Sequence, residues 1–411
     1  MKKTFIIKRC LIILMVLSMM FNTGCWNRKE LKELGVVGSV AVDTDGEKIK
    51  LTYEVIVPKK LESVGTEDKS ALFLESEGDS VFDAIRNATL KFNKKLYWPH
   101  ANIIYFSEDC AENGLKNYMD LFNRDHDLRK YIHLLIVKDT PAYEIMNNEW
   151  QEGVIPSLYV ENIIHGNTAS GKIASVKILD FLKTYYTEGI EPVIGAISIT
   201  ENSNSNSRTN SKDGEENEEE DADDKLPLVE GLYAFRDDRL VGYLNGVQTR
   251  SYNIITNNIK SGIIITDSPD KNGLTSMEIK KSSSSLDVKW ENGELKGTVA
   301  VKILGSIGEE TGLDSITKSD ATKDIEQLTA EEIKLQLEDC ISRVQHFGTD
   351  IFGFGRAFHI KNPDEWKTRK DYWNVLFTDM DVEVNVEVAI DKIGVSNEQI
   401  GIKEKDTNAK D

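Results

Sequence analysis

The stretch Asp381-Val382-Glu383-Val384-Asn385-Val386-Glu387-Val388-Ala389-Ile390 sets an aliphatic residue at every second position. A period of two is the signature of a strand with one face in a core and the other in water. Val382, Val384, Val386, Val388 and Ile390 share the dry face, and Asp381, Glu383, Asn385 and Glu387 share the wet one. A strand buried on both faces, as in a parallel sheet, would read as an unbroken apolar run. The alternation therefore favours an antiparallel sheet covered on one side. Its cover lies upstream. Over residues 322–347, Ile333, Leu337, Ile341 and Val344 stand at i, i+4, i+8 and i+11, one stripe of a long helix. Strands at 277–280, 286–290 and 299–303 supply the rest of the sheet, the last two joined by a turn at Asn292-Gly293. A hairpin over 228–244, turning at Asp237-Asp238, precedes them.

The N-terminal half has a different texture. Residues 103–106 and 132–137 are short continuous apolar runs, and 193–200 reads as a further strand. A hairpin comes before them, with Asp45-Gly46 as its turn. Helical patterns fall at 79–92, 107–122, 157–164 and 175–186, the second broken near Gly114. In the first, Asp79 or Ser80 is the expected N-cap, and Val81, Phe82, Ile85, Ala88 and Phe92 form the expected buried stripe. Strands that alternate with helices imply a mixed α/β region. The fold class expected for the whole chain is α+β, with an N-terminal mixed α/β region followed by a C-terminal domain whose antiparallel sheet packs on a long helix.

Between the halves, residues 201–225 carry ten acids against Arg208, Lys212 and Lys225, and no large apolar side chain. Such a segment cannot bury enough surface to offset its ordering entropy, and it reads as an acidic disordered linker. The expected divisions are a leader at 1–24, an N-terminal domain at 25–200, the linker at 201–225, a C-terminal domain at 226–397 and a polar tail at 398–411.

The leader carries the one piece of chemistry that can be named. Lys2, Lys3, Lys8 and Arg9 form a positive start, and residues 10–21 form an apolar run too short to span a bilayer. No Ala-x-Ala site follows; Thr23-Gly24-Cys25 does. Small residues before a cysteine mark a bacterial lipoprotein-processing site, so Cys25 is the expected lipidation residue. Asn22 stands where such sites usually carry Leu. The alternative is an uncleaved anchor helix over 4–21, which Lys8 and Arg9 interrupt. Two acyl chains on Cys25 would give stable anchoring, where a single chain is marginal. Trp26 would then sit at headgroup level or make a first core contact.

Charge narrows the function classes. The formal net charge is −19, and loss of the four basic leader residues takes it to −23. That balance argues against nucleic-acid binding and against adhesion of the body to anionic lipid. Cys110 and Cys340 lie among apolar helical positions and read as buried thiols, with a disulfide as the alternative.

A search for catalysis finds little. His100, His126, His133, His165, His346 and His359 show no HExxH-type spacing, and no nucleophile elbow or P-loop is present. Gly353-Phe354-Gly355 resembles the start of a dinucleotide fingerprint but follows a helix, so a tightly packed turn explains it better. The group around Asp125, His126 and Asp127 reads as a polar helix end, and Asp237-Asp238 as a hairpin turn. No catalytic, cofactor or metal residue is expected.

Three stretches, in order, resemble one family, the Ger(x)C lipoproteins that form the C subunits of spore germinant receptors. They are Cys25-Trp26-Asn27-Arg28-Lys29-Glu30-Leu31, the hairpin from Gly231-Leu232-Tyr233 through Val241-Gly242-Tyr243-Leu244, and Asp350-Ile351-Phe352-Gly353-Phe354-Gly355-Arg356-Ala357-Phe358-His359 with Pro363 and Trp366 after it. The acidic insert after Thr200 is longer than the connection usual there. The resemblance implies a non-enzymatic lipoprotein, held by its lipid on the outer face of the inner spore membrane. It also implies assembly with an A subunit and a polytopic, transporter-like B subunit, in a complex that senses nutrients. A solute-binding lipoprotein of a transporter is the alternative, and it would need two doubly wound lobes around a cleft.

Overall fold

The apolar runs of the N-terminal half line up at the centre of one sheet in the computed structural model, which describes residues 34–57, 70–124, 128–146, 150, 154–166, 169–201, 225–311 and 319–393. Strands β1 (Leu34–Thr44), β5 (Ile103–Ser107), β6 (His133–Val137) and β7 (Val193–Glu201) are parallel neighbours. Antiparallel strands extend this sheet on both sides. β2 (Ile49–Ile56) and β3 (Ala71–Gly78) follow outward from β1, and β8 (Lys225–Arg236) and β9 (Arg239–Leu244) follow outward from β7. The short β4 (Lys95–Tyr97) also pairs with β1, in parallel.

Period two then sorts side chains to two faces, each covered by helices. Ile104 and Phe106 point into a core closed by α1 (Val81–Ala88), α2 (Glu108–Asn113), α3 (Lys116–Arg124) and α6 (Ile178–Tyr185). Ile103 and Tyr105 point the other way, into a core closed by α4 (Ala142–Met146) and α5 (Pro156–Gly166). Buried carboxylates fix the second set of helices. Asp43 accepts the Ala142 and Tyr143 amides at 2.7 and 3.0 Å, and Glu54 accepts the Ser157 amide at 3.3 Å.

The helix expected over 79–92 is shorter than its pattern. Ser80 caps it by accepting the Asp83 amide at 3.1 Å, and α1 ends at Ala88. Val81, Ala84 and Ala88 make the buried stripe, while Phe82 is half exposed with the Arg86 guanidinium 4.8 Å above its ring.

In the C-terminal half, β10 (Ile263–Asp267), β11 (Leu274–Glu291), β12 (Glu294–Glu310) and β13 (Asp381–Ile393) form a second sheet in that order. The strands expected at 277–280 and 286–290 are one 18-residue strand, β11. β10, β11 and β12 are antiparallel, and the Asn292-Gly293 turn closes the long β11–β12 hairpin with both residues at positive φ. β13 keeps the expected dry and wet faces but pairs with β12 in parallel. Alternation encodes faces, whereas strand direction follows from the connection. Here the connection is a crossover through α8 (Ser319–Phe347), α9 (Phe354–Lys361), α10 (Pro363–Arg369) and α11 (Trp373–Thr378). Ile333, Leu337, Ile341 and Val344 of α8 are buried against this sheet, as their spacing predicts.

The acidic segment lies in an unexpected place in the topology. Residues 202–224 are outside the described residues, but Glu201 and Lys225 at their borders are strand partners. The segment therefore joins neighbouring strands of the first sheet, and the hairpin 228–244 completes that sheet where the expected boundary assigns it to the C-terminal domain. The reason is visible in β8. Tyr233 and Phe235 fill the first core, while Leu232 and Ala234 on the opposite face enter the C-terminal core. Both α7 (Gly246–Ile255), which follows β9, and the hairpin itself thus tie one half to the other.

Candidate functional site

The block from Asp350 to His359 folds into a clasp between the two halves. Asp350 is fully buried, and its carboxylate accepts the amides of Gly353, Phe354 and Gly355 at 2.8, 3.2 and 2.7 Å, and the Trp373 indole N–H at 3.0 Å. It thereby organises the first turn of α9. Burial pushes its pKa upward, and these donors pull the other way. The N-terminal half meets this turn through residues 188–191. The Arg356 amide donates to the Gly189 carbonyl at 2.7 Å, and the Glu191 amide to the Asp350 carbonyl at 2.8 Å. Glu188 accepts the Trp366 indole N–H at 2.9 Å. Glu191 accepts the Asp237 amide at 2.8 Å, and burial, aided by the charges of Asp237 and Asp350, raises its pKa to about 7.

Beside the clasp, the halves leave a cleft of about 860 Å³. Ser175, Thr184 and Glu191 line it from the N-terminal half, Asn253 and Lys260 from α7 and the loop after it, and Arg356 from the clasp. Its lining mixes both charge signs with amides and hydroxyls, which suits a small polar molecule. Asn253 is already committed: its side-chain amide donates to the Gly171 and Ile173 carbonyls, both at 2.9 Å.

At the edge of the cleft, three potential metal-ligating groups converge. Glu161 and His165 are one turn apart on α5, with His165 Nε2 3.7 Å from Glu161 Oε1. His133, the first residue of β6, meets His165 edge to face with ring centroids 5.5 Å apart. One ligand atom from each of the three lies within 4.8 Å of the others. His133 is buried, and burial, with help from the charges of Lys177 and His165, lowers its pKa to about 4.

The other residues singled out in the sequence fall as follows. Cys25 and its leader lie outside the described residues, as do Asp125, His126, Asp127 and the tail. Cys110 and Cys340 are buried, free thiols that donate to the Val42 and Gln248 carbonyls. Burial pushes the Cys110 thiol to about 11 and the Cys340 thiol further. Asp237 and Asp238 do form the hairpin turn, and Asp238 accepts the Lys116 amide at 3.0 Å at the start of α3. Gly353-Phe354-Gly355 opens a helix against protein rather than a nucleotide. The sequence did not expose the His133, Glu161, His165 group. The four-residue spacing of Glu161 and His165 on a predicted helix was its one legible sign.

Comparison with known proteins agrees with the fold and with the quoted motifs. Residues 27–199 match the family described as "Spore germination protein N-terminal domain", and residues 230–394 match "Spore germination B3/ GerAC like, C-terminal". Spore germination protein KC of Bacillus subtilis (strain 168) is 25% identical, over 97% of this chain and 100% of its own length. Spore germination protein B3 of the same organism is 22% identical, over 90% of this chain and 94% of its own. The crystal structure of the GerBC protein superposes with a TM-score of 0.52 at 20% identity, covering 86% of this chain and 97% of that one. With both halves matched in order and relatives aligned over nearly their whole length, the chain belongs to the GerAC-like, Ger(x)C family of spore germination proteins.

Proposed function

We propose that this protein is a lipid-anchored, non-catalytic C subunit of a nutrient germinant receptor, acting in the start of spore germination. The observation that carries the reading is the match of both halves to spore germination proteins, from residue 27 to residue 394. That match begins two residues after Cys25, the cysteine behind a basic and apolar leader. A diacylglyceryl thioether on Cys25 holds the acidic body at the outer face of the inner spore membrane, where surface charge would not. There it assembles with the receptor's A subunit and its polytopic B subunit, and the clasped halves offer them one continuous body.

Replacing the anchor tests this. Cys25→Ala is expected to release the protein from spore membranes and abolish nutrient-triggered germination. Normal germination alongside a soluble protein would sink the proposal. A tagged chain is expected to bring down the A and B subunits from detergent-solubilised spore membranes.

The cleft supports a second reading, a solute-binding lipoprotein that captures the ligand itself. The C-terminal sheet, three of whose strands are antiparallel, does not supply the second doubly wound lobe which that architecture needs. Calorimetry with candidate amino acids, sugars and nucleosides separates the two, since the first reading expects little binding.

A further inference from the structure

We propose that His133, Glu161 and His165 form a binding site for a divalent transition metal, with zinc the ion that their donor set suits best. Two imidazoles and a carboxylate are typical zinc ligands, and they disfavour calcium and magnesium, which take oxygen. The ligand atoms lie within 4.8 Å of one another. Tetrahedral zinc bonds of about 2.0–2.1 Å require them to close to roughly 3.4 Å. That closure needs rotations of Glu161 and His165, whose side chains are 26% and 60% exposed.

The fold prepares the three unequally. His133 is the fixed member. Its backbone amide donates to the Asn102 carbonyl at 2.8 Å, and the ring is buried with Ser175 Oγ 3.4 Å from Nδ1, a contact placed to steady it. Glu161 and His165 are the adjustable members on one face of α5. His165 is in the last turn of that helix, where the backbone dipole favours a cation. Lys177 opposes the site with its own charge, and its ammonium is drawn toward the Tyr131 ring at 5.8 Å.

Three protein ligands leave zinc a fourth position. Of the three, His165 lines the cleft, and water or a polar molecule there would complete the coordination. The competing explanation is an ordinary Glu161–His165 ion pair on a helix surface, which predicts no response to metal.

The test uses the full chain, purified in detergent without a histidine tag. Zinc chloride is titrated in competition with a chromogenic chelator, and cobalt(II) is titrated separately to read its visible absorption. The expected result is one equivalent bound, with the intense band of low-coordinate cobalt. His165→Ala and Glu161→Gln should each weaken binding by more than about tenfold, with unchanged circular dichroism. His165 is exposed and Glu161 half-buried, and the circular dichroism checks that each variant is folded. Absence of stoichiometric binding in the parent chain, or undiminished binding in either variant, overturns the proposal.

Discussion

Asp350 is where one side chain decides most. It gathers three backbone N–H groups and one indole N–H in a site without solvent. Removing the acceptor strands all four donors. Asp350→Ala is therefore expected to cost about 3–5 kcal/mol, read as a lower urea midpoint, since each buried unsatisfied donor costs about 1–3 kcal/mol before relaxation. Asp350→Asn, which keeps one acceptor oxygen, should lose less; equal loss in both would refute the hydrogen-bond account. Glu191, a neighbour in the same clasp, gives a pH dependence. Its folded pKa of about 7 lies above the ordinary carboxylate value. Between about pH 4.5 and pH 7 the folded chain holds a proton that the unfolded chain releases. Its contribution to stability is thus present below that window and is lost as pH rises through it. His133 has the opposite sign: its folded pKa of about 4 costs stability as pH falls from about 6.5. The wild-type profile mixes the two, but Glu191→Gln isolates one. Relative to wild type, that variant should gain roughly 1–2 kcal/mol on going from pH 4.5 to pH 7, the shift being discounted for partial exposure. Parallel melting profiles across that window would show that Glu191 does not titrate as described.

At the scale of elements, the start of α9 depends on two glycines for two different reasons. Gly353 has φ +86°, in the left-handed region. Gly355 has no room, because a Cβ there would meet Trp373 Nε1 at 2.6 Å and Gly189 Cα at 3.0 Å. Gly353→Val and Gly355→Val should each lower stability by about 1–3 kcal/mol, through strain in one and overpacking in the other. Thermal melting and abundance in spores check this, and unchanged values would rule it out. The long helix makes a plainer case. Leu337 is fully buried beneath the C-terminal sheet, so Leu337→Ala should cost about 2–5 kcal/mol in the same assay. That helix was legible because its stripe repeats over several turns, and β6 because its apolar run is unbroken. β3 was not: only Ala71, Ser76 and Gly78 of its eight residues are buried, so no period stands out. Nor was the parallel sense of β13, because side-chain alternation is the same in either direction. The metal-ligating group shows the same limit for a site. Glu161 and His165 are near each other in sequence, but only the sheet topology brings His133 to them.

At the scale of the whole molecule, the acidic segment 202–224 marks a change of composition without separating two bodies. β7 and β8, on either side of it, are paired from Val193↔Ala234 to Glu201↔Lys225. β8 also places Leu232 and Ala234 in the C-terminal core and Tyr233 and Phe235 in the N-terminal one. Composition reports what a segment cannot bury; it does not report whether the strands beside it are partners, so the linker reading and this topology are compatible with the same residues. The distinction has a measurable consequence. A chain with a protease site engineered into residues 202–224, cut once while folded, should remain one particle on size exclusion and come apart only in denaturant. Strand pairing, the shared cores and the clasp at Gly189 and Arg356 all cross the cut. The same fragments expressed separately should fare badly, because the first would lack β8 and β9 and leave the edge of β7 unpaired. If the cut chain separates under native conditions, the two halves are independent domains, and the clasp contributes little to holding them together.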